Sequence, residues 1–396
     1  MSLLTAVEQN TVAALLKVYR PMESMIVGGR GSYLLTEDGR ELLDFTSGIG
    51  VNAFGYGDPQ LQAAIIGALG TGLIHVSNLF RTPPAQALAA RLVELSFADR
   101  VFFCNSGGEA NEGALKFARR FARARGGAAK HEIVALKGSF HGRLFGTLAV
   151  TDRPAFRAPF EPVMPGVHFV DVDDLSALAA AVSAERTAAI IVEPVQGEGG
   201  VRPLSNAYLA AVREAANATD AVLIFDEVQC GLGRTGALFA YQRAGVEPDI
   251  MTLAKPLAGG LPMGAILLND RIAAAVQPGD HATTFGGGPL VSTVALSVVN
   301  RLAAPEFLAD VASKGEYLAD LLGRVLAHPN VTQVRGIGLM WGIELDGPAA
   351  QTQARCAERG LLVTLAGEKV IRLLPPLTIT RSELEAGIEL LQAALP

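Results

Sequence analysis

Cysteine is scarce in this 396-residue chain: Cys104, Cys230 and Cys356 are the only three, and they are far apart. They form no CxxC pair and cannot close a disulfide framework, so the expected compartment is a reducing cytoplasm. A basic excess is missing too. Thirty-three Lys and Arg face 39 Asp and Glu, a net charge of −6. With no long basic run, the chain is a poor match for nucleic acid or an anionic membrane surface. Long apolar runs are absent although half the residues are hydrophobic. Residues 59–80 and 281–300 carry no charge, but glutamines, threonines and glycines interrupt them, so neither offers the ~20 apolar residues of a spanning helix. The first residues hold no basic stretch, and Glu8 breaks any apolar signal core, so no leader is expected. The six histidines show no metal-ligand spacing, and no metal is expected.

What the chain does have is ample apolar material for a large core, and its length suggests two or three domains. Val7, Val12, Leu15, Leu16 and Tyr19 fall near helical spacing and predict a helix over the first 20 residues, ended by Pro21. Short strands follow at 25–27, 33–36 and 42–45, the last two joined as a hairpin at Gly39. From residue 60 the text alternates helices (59–70, 84–95, 108–124, 173–183, 206–218) with short apolar runs (100–104, 132–136, 167–170, 188–192, 221–225, 250–253, 264–268). Such runs between helices predict strands buried on both faces, hence an α/β fold with a mostly parallel sheet. Beyond 290 come two helices, strands near 338–345 and 369–373, and a final helix. The expected division is an N-terminal segment (1–58) and a C-terminal segment (291–396), together forming a small α+β domain, around a large domain at 59–290.

In open α/β sheets ligands bind beyond the carboxyl ends of the strands. The run 189–192 ends in Glu193-Pro194, the run 222–225 in Asp226-Glu227-Val228-Gln229, and the run 250–254 in Lys255-Pro256. One such charge reads as a solvated loop residue; three at corresponding strand ends favour a site. A carboxylate and a lysine suit pyridoxal phosphate, which is held by a lysine Schiff base with an acid paired to its ring nitrogen. Its phosphate needs a glycine-rich turn at a helix start. Ser106-Gly107-Gly108, after the strand at 101–104, provides one. Gly231-Leu232-Gly233-Arg234-Thr235-Gly236 matches the dinucleotide fingerprint GxGxxG. Five residues separate it from its strand, so it reads as a loop turning away from the site.

These motifs resemble the class III pyridoxal-phosphate aminotransferases, and within them the acetylornithine aminotransferase family. The likeness rests on Asn105-Ser106-Gly107, Ser139-Phe140-His141-Gly142-Arg143, Glu193 to Gly200, Asp226 to Gln229, Gly231 to Gly236, Leu253 to Pro256 and Thr283 to Gly287, in order over nearly the whole chain. It implies the fold-type I PLP-transferase architecture and transfer of the terminal amino group of N-acetylornithine to 2-oxoglutarate, a step of arginine biosynthesis. It also implies roles. Lys255 carries the cofactor and moves the proton, and Asp226 pairs with the ring nitrogen. Glu227, Val228 and Gln229 lie along the cofactor, Val228 packing on one ring face and Phe140 on the other. Ser106, Gly107 and Gly108 hold the phosphate, joined by Thr284 from a second subunit of a homodimer. Arg143 and Thr283 meet the acylated donor. Arg372 binds 2-oxoglutarate and is covered by Glu198 when the donor is bound.

Two departures stand out: Gly108 replaces a usual threonine and Gly288 a usual asparagine. Where ornithine aminotransferases have a tyrosine for the free α-amino acid group, this chain reads Gly48-Ile49-Gly50, which fits an acylated donor better. Other donors of the class remain open, namely 4-aminobutyrate, succinylornithine or an acylated lysine-pathway intermediate. A pyridoxal-binding regulator would need a DNA-binding module, and a nicotinamide dehydrogenase a fingerprint directly after its strand; neither is found.

Overall fold

The computed structural model describes residues 15–396. Most of the helix expected at the start of the chain lies outside them, and residues 15–20 are bends rather than helix. Strands β1 (Ile26–Arg30), β2 (Tyr33–Thr36) and β3 (Glu41–Asp44) then form an antiparallel meander. Its second turn passes through Gly39 at φ 83°, a left-handed conformation that glycine adopts without strain.

The apolar runs of the central region become β4 (Arg100–Cys104), β5 (Glu132–Leu136), β6 (Val167–Val170), β7 (Thr187–Val192), β10 (Val222–Asp226), β11 (Ile250–Leu253) and β12 (Gly264–Leu268). A two-residue pair, β8 (Val195–Gln196) and β9 (Arg202–Pro203), interrupts the series. The seven longer strands make one sheet in the order β4-β12-β11-β10-β7-β5-β6. All run parallel except β12, which is antiparallel to both neighbours. Alternate residues of β7 serve opposite faces: Ile190 and Val192 join one apolar cluster, Ala189 and Ile191 the other. That period-two division, with helices covering both faces, is why the strand text reads as uninterrupted hydrophobics. The 20-residue helix Gly107–Gly126 lies against the sheet through Ala110, Ala114 and Ala118, all fully buried. Its small residues allow a close approach.

The C-terminal part carries β13 (Val331–Ile337), β14 (Met340–Leu345), β15 (Leu361–Leu362), β16 (Thr364–Leu365) and β17 (Val370–Leu373). Four of these form the sheet β13-β14-β17-β16, while β15 pairs in parallel with β3, Leu361 opposite Leu43. The two ends of the chain therefore share a sheet. The hairpin begins earlier than the sequence suggests, at Val331, because Gly336 and Gly338 mask the β13 alternation. A helix at Ala350–Glu358 also has too few apolar positions to be read from sequence. Among the described residues no helix is long and apolar enough to cross a membrane.

Candidate active site

The carboxyl ends of β7, β10 and β11 open into one cavity of about 330 Å³. Asp226 is the last residue of β10 and pairs across the sheet with Thr252 of β11. Lys255 follows β11 by two residues and enters the cavity wall at φ 28°. The wall also includes Ser106, Gly107, Gly108, Phe140, Val228 and Gln229.

Asp226 is 3% exposed and heavily donated to. Its Oδ2 accepts from Asn111 Nδ2 at 2.7 Å and His141 Nδ1 at 2.8 Å, and its Oδ1 accepts from the Val228 N–H at 3.0 Å. Asn111 in turn donates to the His141 carbonyl and accepts from Thr252 Oγ1 at 2.7 Å. These donors stabilise a buried carboxylate and fix its direction. His141 is fully enclosed, and among the described residues its Nε2 has no hydrogen-bond partner. Asn111 and Thr252 were given no role from sequence. Their signal is a polar side chain within a buried helix face and a buried strand.

Glu193 is also buried. Its oxygens accept from the backbone N–H of Phe140 at 2.9 Å and of Gly197 at 3.0 Å. Burial pushes its carboxyl up to about 7, His141 opposes this, and Asp226 adds to it. Glu193 thus holds the Phe140 backbone at the cavity edge. Burial lowers the Lys255 amine from its ordinary value; Asp226 opposes that and the Arg372 charge reinforces it.

Ser106 caps the Gly107–Gly126 helix, its Oγ accepting from the Glu109 N–H at 3.2 Å. The first N–H groups of a helix lack intrahelical acceptors and, with the helix dipole, favour an anion. A Cβ on Gly107 would fall 2.6 Å from Val228 Cγ1, whereas one on Gly108 would meet nothing nearer than 3.8 Å. Only the first glycine is sterically required. The cavity thus offers an anion site, a buried carboxylate, a lysine and two apolar side chains, Phe140 and Val228. These are the groups that pyridoxal phosphate needs.

Arg372 lies in β17 and is 2% exposed. Its Nη1 donates to Glu198 Oε1 at 2.5 Å and to Gln229 Oε1 at 3.1 Å, and its Nε to Thr364 Oγ1 at 3.0 Å. Gln229 links this cluster to the cavity wall. Arg143 is exposed near the rim, its guanidinium 3.6 Å from the Phe156 ring centroid and 5.7 Å from that of Phe140.

Six expected residues do not line this chain's own cavity: Arg143, Glu198 and Arg372, which lie around it, and Glu227, Thr283 and Thr284. The Glu227 carboxylate turns away and accepts from the N–H groups of Ala240 and Tyr241. One residue past Asp226 it occupies the opposite side of the chain, so it anchors the next helix rather than meeting a cofactor. Thr283 and the exposed Thr284 line a separate concavity of about 470 Å³ with His75, Asn78 and Leu79. Residues 47–50 form a left-handed turn, with φ of 40°, 62°, 62° and 80° from Ser47 to Gly50. A Cβ on Gly50 would lie 3.9 Å from Lys255 Cδ.

A family model described as aminotransferase class-III matches residues 16–395. The chain is 48% identical over 387 residues to the mitochondrial acetylornithine aminotransferase of Alnus glutinosa, covering 96% of this chain and 86% of that protein. The solved N-acetylornithine aminotransferase of Stenotrophomonas maltophilia K279a matches with a TM-score of 0.84 at 37% identity, over 98% of each chain. The ornithine aminotransferase of Toxoplasma gondii ME49 matches with a TM-score of 0.91 at 29% identity, over 97% of this chain and 92% of that one.

Proposed function

The chain belongs to the class-III aminotransferases, and from that membership we propose that it moves the terminal amino group of N-acetylornithine to 2-oxoglutarate. The products are N-acetylglutamate semialdehyde and glutamate, a step of arginine biosynthesis. The 48% identity to a relative named for this activity carries the choice of donor. Backbone likeness is high to both acetylornithine and ornithine enzymes, so the fold alone does not discriminate between the two donors. The 47–50 turn favours the acylated one: Ile49 is half-exposed there, and an apolar side chain offers nothing to a free α-amino acid group.

Pyridoxal 5'-phosphate supplies, when bound, an electron sink and a temporary store for the amino group. In this reading the N-terminus of the Gly107–Gly126 helix and Ser106 Oγ hold the phosphate, and Asp226 keeps a negative charge where the ring nitrogen lies. Phe140 and Val228 flank the ring. Lys255 Nζ, whose amine burial lowers from its ordinary value, is the group that can take up and return a proton. Arg372 serves two substrates in turn. Glu198 neutralises it while the uncharged donor chain is bound, and a dicarboxylate acceptor displaces Glu198. Arg143 and Thr283 are assigned to the donor's carboxylate and acyl end.

A homodimer is part of the proposal. Segment 74–80 lies against 283–288, with Asn78 Nδ2 donating to the Thr283 carbonyl and the His75 and Phe285 rings 5.3 Å apart. Leu79 there is 90% exposed, with Ile74, Phe80 and Phe285 exposed around it. Such a patch suits a second copy, which would bring Thr284 to its neighbour's phosphate site; sedimentation of the holoprotein as a monomer would refute this. The division into 1–58, 59–290 and 291–396 belongs to the same reading, as does a cytoplasmic location, which the three free cysteines support.

The test is a half-reaction. N-acetylornithine at millimolar concentration should discharge the absorbance band of the bound cofactor, and 2-oxoglutarate should restore it. A chromophore discharged by 4-aminobutyrate or ornithine but not by N-acetylornithine would sink the assignment.

A further inference from the structure

The Gly231–Gly236 loop, which as a fingerprint reads as turning away from the site, lies wedged against the C-terminal part of the chain. Arg234 at its centre is 2% exposed. No carboxylate pairs with it among the described residues, and burial alone brings it down to about 9. A buried guanidinium without a counter-ion is costly unless its hydrogen bonds hold something in place. Here Nη1 donates to two carbonyls from distant parts of the chain, Leu339 at 3.0 Å and Pro375 at 2.5 Å. The Leu339 N–H answers with a bond to the Arg234 carbonyl at 3.0 Å.

Those two carbonyls are not arbitrary. Leu339 immediately precedes β14, and Pro375 follows β17 by two residues. At this end of the hairpin β14 and β17 pair Trp341 with Leu373 and Gly342 with Arg372. Arg234 therefore grips both strands of the ladder that carries Arg372. The loop around it leaves no slack. A Cβ on Gly338 would fall 2.5 Å from the Arg234 carbonyl, and one on Gly236 3.2 Å from Ala312 Cβ. Leu232, Gly233 and Gly236 all hold positive φ.

We propose that Arg234 is a positioning residue for the acceptor half-reaction: from behind, it sets the strand pair that aims Arg372 at the second carboxylate of 2-oxoglutarate. This rests on the reading of Arg372 given above. Arg234 makes no hydrogen bond to Lys255 or to the cavity wall among the described residues, so the donor half-reaction, in which Glu198 neutralises Arg372 and no substrate carboxylate has to be aimed at it, should depend on Arg234 far less. A role confined to overall folding would weaken both half-reactions together.

The experiment compares R234M and R234K with the parent holoenzyme, each half-reaction followed separately by the cofactor spectrum under rapid mixing. In R234M the 2-oxoglutarate concentration for half-maximal rate should rise roughly tenfold, about the effect of one lost charge-assisted hydrogen bond. That for N-acetylornithine should stay within about twofold, with the resting spectrum unchanged. R234K keeps the charge without the planar fork and should recover part of the acceptor loss. It carries the test alone if R234M does not fold. Equal loss in both half-reactions, or an unchanged acceptor value in both variants, overturns the proposal. R372K separates the two levels of inference. If it leaves the acceptor half-reaction intact, the Arg372 reading fails and this proposal with it. If it abolishes acceptor saturation while R234M and R234K change nothing, only the Arg234 proposal fails.

Discussion

Replacing Glu198 by glutamine should make the protein bind its acceptor more tightly. Arg372 is almost wholly buried, and among the described residues Glu198 is its one carboxylate partner, 2.5 Å away; Gln229 and Thr364 are neutral. The Glu198 side chain is 28% exposed, so the pair lies between the surface and interior cases. Exposed pairs contribute about 0–1 kcal/mol, and breaking fully buried ones costs about 3–5 kcal/mol. For this partly screened pair a contribution of about 1–1.5 kcal/mol is reasonable. 2-Oxoglutarate must displace Glu198 to reach Arg372, so its apparent affinity includes that cost. In E198Q the cost largely vanishes, and at 1.4 kcal/mol per tenfold the half-saturating 2-oxoglutarate should fall by roughly five- to tenfold. N-acetylornithine should move the other way, because its uncharged chain then meets an uncompensated guanidinium. Rapid-mixing half-reactions with purified holoenzyme read both values. A half-saturating 2-oxoglutarate concentration that stays constant or rises would refute the exchange mechanism.

Gly107→Ala should weaken cofactor binding by at least tenfold, because its Cβ would lie 2.6 Å from Val228 Cγ1 and must displace the side chain proposed to flank the ring; Gly108→Ala, with nothing nearer than 3.8 Å, should change it less than threefold. Fluorescence titration of the apoprotein with pyridoxal phosphate measures both, and equal effects would contradict the assignment of the glycines. Burial raises Glu227 from 4.5 to about 7, so its contribution to stability is complete below about pH 4.5 and lost as pH rises through 7. Thermal melts of E227Q across pH 5 to 8 should therefore show a flatter pH dependence than the parent, and parallel curves would rule this out.

The parts of the site that sequence revealed are those at strand ends, where a charge after an apolar run has few uses. Asp226 and Lys255 stand out for that reason, and the helix start at Ser106 does so through its glycines. Sequence was less informative where orientation matters. Glu227 adjoins Asp226, yet its carboxylate turns the other way to cap a helix. Asn111 and Thr252 belong to elements whose buried character is evident, but the contact that makes them useful joins residues 141 positions apart. Arg234 was given no role of its own from sequence, because its partners, Leu339 and Pro375, come more than 100 positions later.

Ser47 Oγ donates to the Leu374 carbonyl, and the two residues are 327 positions apart. The left-handed turn beside Lys255 is thus held by a segment synthesised 327 residues later. At about 5–20 residues per second on the ribosome, the early strands wait roughly 16–65 s for that partner. Over that interval β3 lacks its parallel neighbour β15 and presents an open edge. Such an edge is a template for wrong pairing, so the nascent polypeptide carries that hazard until the β15 segment emerges.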